Sequence, residues 1–134
     1  MVYYEELPVK THSRSEWIDI TSGVQKIISP SSIHNGIITV SSLHTTAGIT
    51  INENADPDVG RDFFWKLNQL IPHDRAYHHA EGNSDSHLKA SLVGLSVQVP
   101  LHNGVCVLGT WQSIYFCEFD GPRHRKVSVT VIGE

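Results

Sequence analysis

The sequence predicts an α+β fold: an antiparallel two-layer sheet or sandwich with a few helices on one side or end. Three observations lead there. Runs rich in β-branched residues recur along the chain, as in IITVSSLHTTAGITI at 37–51. Three segments with helical character and recognisable caps interrupt them. The final third alternates apolar runs with tight turns. At 134 residues the chain reads as a single domain, 1–134, long enough to bury a core without disulfides.

VYYEELPVKT (2–11) reads as an opening strand, and Pro8, which has no amide to donate, places it at a sheet edge. SEWIDIT (15–21) is a second short strand carrying Trp17, Ile18 and Ile20. Thr21 or Ser22 then caps a helix containing Val24, Ile27 and Ile28, which Pro30 ends. HNG at 34–36 is a turn. The long run at 37–51 breaks near Ala47–Gly48, either at a bulge or where two strands meet at a bend.

The next helix is the clearest. Asp56 is its N-cap, Pro57 suits the first helical position, and Val59, Phe63, Leu67 and Leu70 form one face before Pro72 stops it. Residues 73–85 are polar and irregular. Ser84 or Asp85 caps a further helix that closes at Gly94. LSVQVPL (95–101), VCVLGTWQSIYFCEF (105–119) and KVSVTVIG (126–133) then predict an antiparallel meander, with turns at 102–104 and 120–125.

Composition narrows the function classes. The formal net charge is −4 and no basic tract occurs, which argues against nucleic acid as a partner. No apolar run approaches the roughly 20 residues of a membrane helix, and the N-terminus lacks a signal-peptide pattern, so a cytoplasmic location is expected, with no membrane partner. Cys106 and Cys117 lie inside apolar runs without zinc or redox spacing and read as buried thiols in a reducing compartment. The unusual count is nine histidines against ten lysines plus arginines. Histidine is both the usual acid–base near neutral pH and the commonest metal ligand.

Candidate residues follow from position. His44 ends an apolar strand just before Thr45 and Thr46; it is either a metal ligand displayed at a strand end or a histidine bonded to backbone. His87 falls in the first turn of its helix, where the dipole disfavours a cation and so favours the neutral imidazole a metal needs. The plain alternative is a surface histidine near a cap, and the same helix start could hold phosphate on its free amides. His78 and His79 point opposite ways in extended chain, so at most one serves. Glu53, beside Asn52, is the candidate general base or metal-linked carboxylate, whereas Asp56 is a cap and Glu81 and Asp85 read as solvated loop charges. Trp111 offers a flat wall and Gln112 a two-way hydrogen-bonding group, suited to a ring-shaped ligand or, equally, to a core or oligomer contact. Arg123 and Arg125 carry forks that match phosphate, against the alternative of a solvated basic turn.

Together, LHTTAGITINENADP, YHHAEGNSDSHLKASLVG and VLGTWQSIYFCEFDGPRHR, in that order, resemble the YjbQ-type family, often named secondary thiamin-phosphate synthases. The resemblance implies a YjbQ-like sandwich, a homotrimer with sites near subunit interfaces, and a metal-type pocket lined by histidines. By position it implies His44, His79 and His87 as metal ligands, with Tyr77 preceding His79 in the motif that favours it over His78. It implies Asn52 and Glu53 as catalytic, and Thr45, Thr46, Trp111, Gln112 and one of Arg123 and Arg125 as substrate-binding. Glu118 matches the glutamate before the basic turn. The implied activity joins an aminopyrimidine pyrophosphate to a thiazole phosphate. That reaction calls for a divalent cation such as Mg²⁺ to stabilise the leaving pyrophosphate. Three imidazoles suit Zn²⁺ or another transition metal better. Two other expectations therefore stand beside the synthase: a metal-dependent hydrolase, and a non-catalytic trimer that binds a small phosphorylated metabolite.

Overall fold

Period-two alternation of apolar side chains organises the chain into two facing antiparallel sheets. The computed structural model describes residues 1–134. Its elements, in order, are β1 (Val2–Lys10), β2 (Glu16–Asp19), α1 (Thr21–Ile28), β3 (Gly36–Ser42), β4 (Ala47–Glu53), α2 (Pro57–Leu70), α3 (Ser84–Val93), β5 (Ser96–His102), β6 (Val105–Cys106), β7 (Gln112–Glu118) and β8 (His124–Gly133). The larger sheet has the order β1-β8-β3-β5-β6 and the smaller β2-β7-β4. β1 is an edge strand, as Pro8 predicts, and pairs with β8 along its whole length.

The core lies between the sheets. Ile38, Val40, Val99, Leu101, Val127, Val129 and Val131 from the larger sheet meet Ala47, Ile49, Ile114 and Phe116 from the smaller, and Val24, Ile27 and Ile28 of α1 join them. A second cluster covers the outer face of the smaller sheet. There Trp17 stacks on Tyr115 (centroids 4.2 Å apart) and on Phe63 (5.1 Å), while Leu67 and Ala90 bring in α2 and α3.

Three expectations are corrected. The last three long strands do not form a meander: β5 and β8 lie in the larger sheet, and β7 lies between β2 and β4 in the smaller. Each is apolar enough to be buried, but partner choice depends on the other sheet's face, which local pattern does not carry. On α2, Phe63 and Leu67 face the sheet as expected, but Leu70 is exposed at 64% and Gly60 and Phe64 complete the face instead. The N-cap of α3 is Asn83, one residue earlier than expected.

The break near Ala47–Gly48 is a change of sheet. β3 ends at Ser42 in the larger sheet and β4 begins at Ala47 in the smaller, so residues 43–46 form a bend at one end of the sandwich. Gly48 allows the end of α3 to approach: a Cβ there would lie 2.7 Å from the Gly94 carbonyl oxygen, which accepts from the Ile49 amide at 3.0 Å. Gly48→Ala is therefore expected to lower stability by about 1–3 kcal/mol. Urea unfolding should show a lower midpoint with an unchanged slope.

Candidate functional site

The site grows from one end of the core. On β8 the inward-facing series Val131, Val129, Val127 continues to Arg125, and on β7 the series Ile114, Phe116 continues to Glu118. Alternation thus places a charged pair where two apolar rows end. Glu118 is fully buried and Arg125 is 5% exposed. Arg125 donates to Glu118 through Nε (2.8 Å) and Nη2, and its Nη2 also reaches the Thr46 hydroxyl at 2.9 Å. Glu118 further accepts from the Thr11 hydroxyl (2.7 Å) and from the amides of Phe119 and Asp120 (3.1 Å each). Burial pushes the Glu118 carboxyl up. The hydrogen bonds from Arg125, Thr11 and the Asp120 amide outweigh it and hold the group below its ordinary value.

Around this pair a polar cleft of about 270 Å³ opens, with no hydrophobic residue in its lining. The 43–46 bend contributes Thr45 and Thr46, the 73–82 loop His79 and Glu81, the start of α3 Asn83 and His87, and the turn before β8 Asp120, Arg123 and Arg125. Ser86 fixes α3 in place by donating to the Phe119 carbonyl at 2.6 Å. Arg123 is held to Asp120 through its carbonyl (2.7 Å) and carboxylate (3.0 Å). Asn83 Nδ2 donates to that same carboxylate at 2.8 Å, while Asn83 Oδ1 is buried without a partner. The His79 and His87 rings lie edge to face, centroids 5.1 Å apart. Asn83 and Asp120 are cleft residues that sequence reasoning did not select; the cap position of Asn83 and the Asp-Gly turn are the only local signals they give.

His44 stands outside this lining. Its Nε2 accepts the Lys126 amide at 2.8 Å, as the backbone-bonded alternative expects. Burial, with the charges of Arg125 and Arg123, lowers its pKa against the opposing pull of Glu118, so the ring is neutral with its proton on Nδ1. Coordination through either nitrogen would require loss of that proton or of the Lys126 bond. No group of three His, Cys, Asp or Glu side chains is placed to hold a metal ion. The residues present therefore do not fit a centre built on His44, His79 and His87, although His79 and His87 are neighbours.

The remaining predicted residues lie at the other end of the smaller sheet. Ala47 pairs with Glu118, but Glu53 pairs with Gln112, six residues along β4 and so about 20 Å away. Asn52 Oδ1 accepts the Glu53 amide at 2.8 Å, and Gln112 Oε1 accepts the Gly109 amide at 2.8 Å, so both side chains are engaged locally. Trp111 is 61% exposed and covers no part of the cleft. Within one chain the predicted site is two separate clusters. Asp85, read from sequence as a solvated loop charge, is 3% exposed: it points inward from the first turn of α3, where Lys89 compensates it.

A family model described as UPF0047 protein YjbQ-like matches residues 5–134. The chain is 50% identical over 126 residues to a UPF0047 protein of Methanocaldococcus jannaschii, covering 94% of this chain and 91% of that protein. It is 47% identical over 128 residues to UPF0047 protein YugU of Bacillus subtilis, with 95% and 97% covered. Among solved structures, an uncharacterised YjbQ/UPF0047-family protein of Clostridium acetobutylicum superposes with TM-score 0.92 at 52% identity, over 96% of this chain and 99% of that one. A YbjQ-like protein of unknown function from Sulfolobus solfataricus gives TM-score 0.95 at 34% identity, over 100% and 99%.

The depressed Glu118 pKa has a definite sign. Its stabilising contribution is complete above the unfolded carboxyl value of about 4.3 and is lost as pH falls through the lower folded value. At pH 7, Glu118→Gln should lower stability by about 3–5 kcal/mol, because Arg125 is left buried without a counter-charge. The gap between wild type and variant, measured by denaturant unfolding, should close as pH is lowered below about 4.

Proposed function

The chain belongs to the UPF0047 protein YjbQ-like family, and from that premise we propose that it is a small enzyme that seats the phosphoryl group of a metabolite against Arg125 and acts on it with the His79–His87 pair. One observation carries this reading. Arg125 is almost wholly buried and locked by Glu118 and Thr46, yet its Nη1 makes no hydrogen bond within the protein, and the residue lines a cleft made only of polar groups. A guanidinium oriented in advance binds an oxyanion with little loss of freedom. Arg123, the Thr45 hydroxyl and the amino end of α3 add donors around the same space.

The reaction favoured is a transfer of the thiamin-phosphate synthase kind, in which pyrophosphate leaves an aminopyrimidine as a thiazole phosphate takes its place. Arginines and an imidazole N–H would stabilise the charge that develops on the leaving pyrophosphate. A divalent cation, Mg²⁺ or a transition metal such as Zn²⁺, would be carried by the phosphates of the substrate rather than held by three histidines, and would supply further charge neutralisation there.

A non-catalytic binder of a phosphorylated metabolite is the second reading, favoured by the distance of Glu53 from the cleft. The homotrimer belongs to the same proposal. Val2, Ile132, Ile37 and Pro100 align in register across the outer face of the larger sheet and are all exposed, which supports burial against another copy. Assembly would also give the cluster of Glu53 and Trp111 a neighbour to act on. No helix is long and apolar enough to cross a membrane, and the two free thiols, Cys106 and Cys117, support a cytoplasmic setting.

The test is turnover of the aminopyrimidine pyrophosphate and thiazole phosphate pair by purified protein with Mg²⁺ or Zn²⁺. His87→Ala should reduce turnover by about 100-fold or more, while inorganic phosphate affinity changes only a few-fold. Phosphate binding without product under either metal would replace the enzyme with the binder.

A further inference from the structure

A group of buried charges is left unused by the cleft at Arg125. Asp85 and Lys89 stand one turn apart on α3, about 200° around the helix from His87 at the Asp85 end. They are 3% and 4% exposed. Lys89 Nζ donates to Asn68 Oδ1 of α2 at 2.6 Å and to Asp85 Oδ2 at 3.3 Å. That arrangement alone would dock α3 on α2. Two more basic side chains nevertheless converge on the same carboxylate from separate loops. Arg14 Nη2 and His73 Nδ1 each lie 3.5 Å from Asp85 Oδ1.

These added contacts are long and single, so they leave donors over. Arg14 spends one of its five N–H groups, and Lys89 two of its three protons. The four side chains border a cleft of about 430 Å³ together with Ser15, Asn68 and Pro72. Two permanent positive charges face one negative charge, and His73 adds an imidazole beside them. Burial pushes the Asp85 carboxyl up, but Lys89, His73 and Arg14 outweigh it and keep the group ionised. The cluster therefore holds an excess of positive charge and of donors at an open cleft.

We propose that this cleft is a second oxyanion site, which takes the phosphate or carboxylate group of a small metabolite between Arg14, His73 and Lys89. It does not depend on the reading of the first cleft. His73 and His79 border a common groove between the two, so if both hold, the 73–82 loop joins two anion sites, as a reaction between two phosphorylated partners requires.

The test is a ¹H–¹⁵N NMR titration of the full chain with inorganic phosphate. Saturable shifts are expected at Ser15, His73, Lys89 and the Asn68 side chain. Arg14→Gln, at a half-exposed position, should weaken that set about 10-fold or more. His73→Gln should weaken it independently, which protects the test against misfolding of either variant. Arg123→Gln should leave this set unchanged while weakening shifts at Thr45 and Thr46. Shifts confined to Thr45, Thr46 and their neighbours would overturn the second site and leave the first reading intact. Unchanged affinity in both Arg14→Gln and His73→Gln would also overturn it. Absence of shifts at either place would overturn both readings.

Discussion

The buried pair of Arg125 and Glu118 is the constraint on which the functional end of the molecule depends. Two desolvated charges tolerate little displacement, since each is costly without the other and the remaining lone pairs and protons must also be satisfied. Here they are satisfied by the end of β1 through Thr11, the start of β4 through Thr46, and the chain after β7 through two amides. One ion pair thus registers both sheets against each other at the point where the apolar rows of the core stop. The cleft walls made by the 43–46 bend, the start of α3 and the turn before β8 are attached to it or to the next residues along.

From that anchor the geometry of the cleft is inherited. Ser86 hangs the start of α3 on the Phe119 carbonyl, which fixes where His87 can stand. The turn from Asp120 carries Arg123 and steadies Asn83. The contribution least tied to this frame is the 73–82 loop, which brings His79 beside His87 and places His73 against Asp85 on the far side of the helix. α3 therefore separates two polar clefts with one turn of backbone. The loop is the element through which occupancy of one cleft would be felt at the other.

The location of the imidazoles shows why similar local signals diverge. His44 and His87 both sit at element ends beside hydroxyl residues. His44 meets the first amides of β8 and becomes part of the sheet edge, because Lys126 offers a donor that β3 no longer pairs. His87 meets no such backbone and stays free at the cleft. Glu53 ends β4 and Thr46 directly precedes it, seven residues apart, yet extended chain carries them to opposite ends of the smaller sheet. Nearness in sequence along a strand implies separation in space, so a motif that spans a strand describes two sites in one chain.

The sequence by itself determined the element types, most of their bounds, the edge position of β1, the cap at Asp56, a break in the long run at 37–51 and several of the residues that gather in the cleft. These rest on local causes: alternation, caps, and the proline and glycine positions that end helices and strands. Only the tertiary structure decided which sheet each late strand joins, that Asp85 and Lys89 are buried, and that Arg125 is locked while Arg123 is exposed. Those outcomes depend on partners 7 to more than 100 residues away, such as Thr11 with Glu118, and on which face of a strand meets the opposite sheet. A carboxylate at the start of a helix looks the same in sequence whether it faces water or an ammonium; desolvation, which is a property of the assembled fold, separates the two.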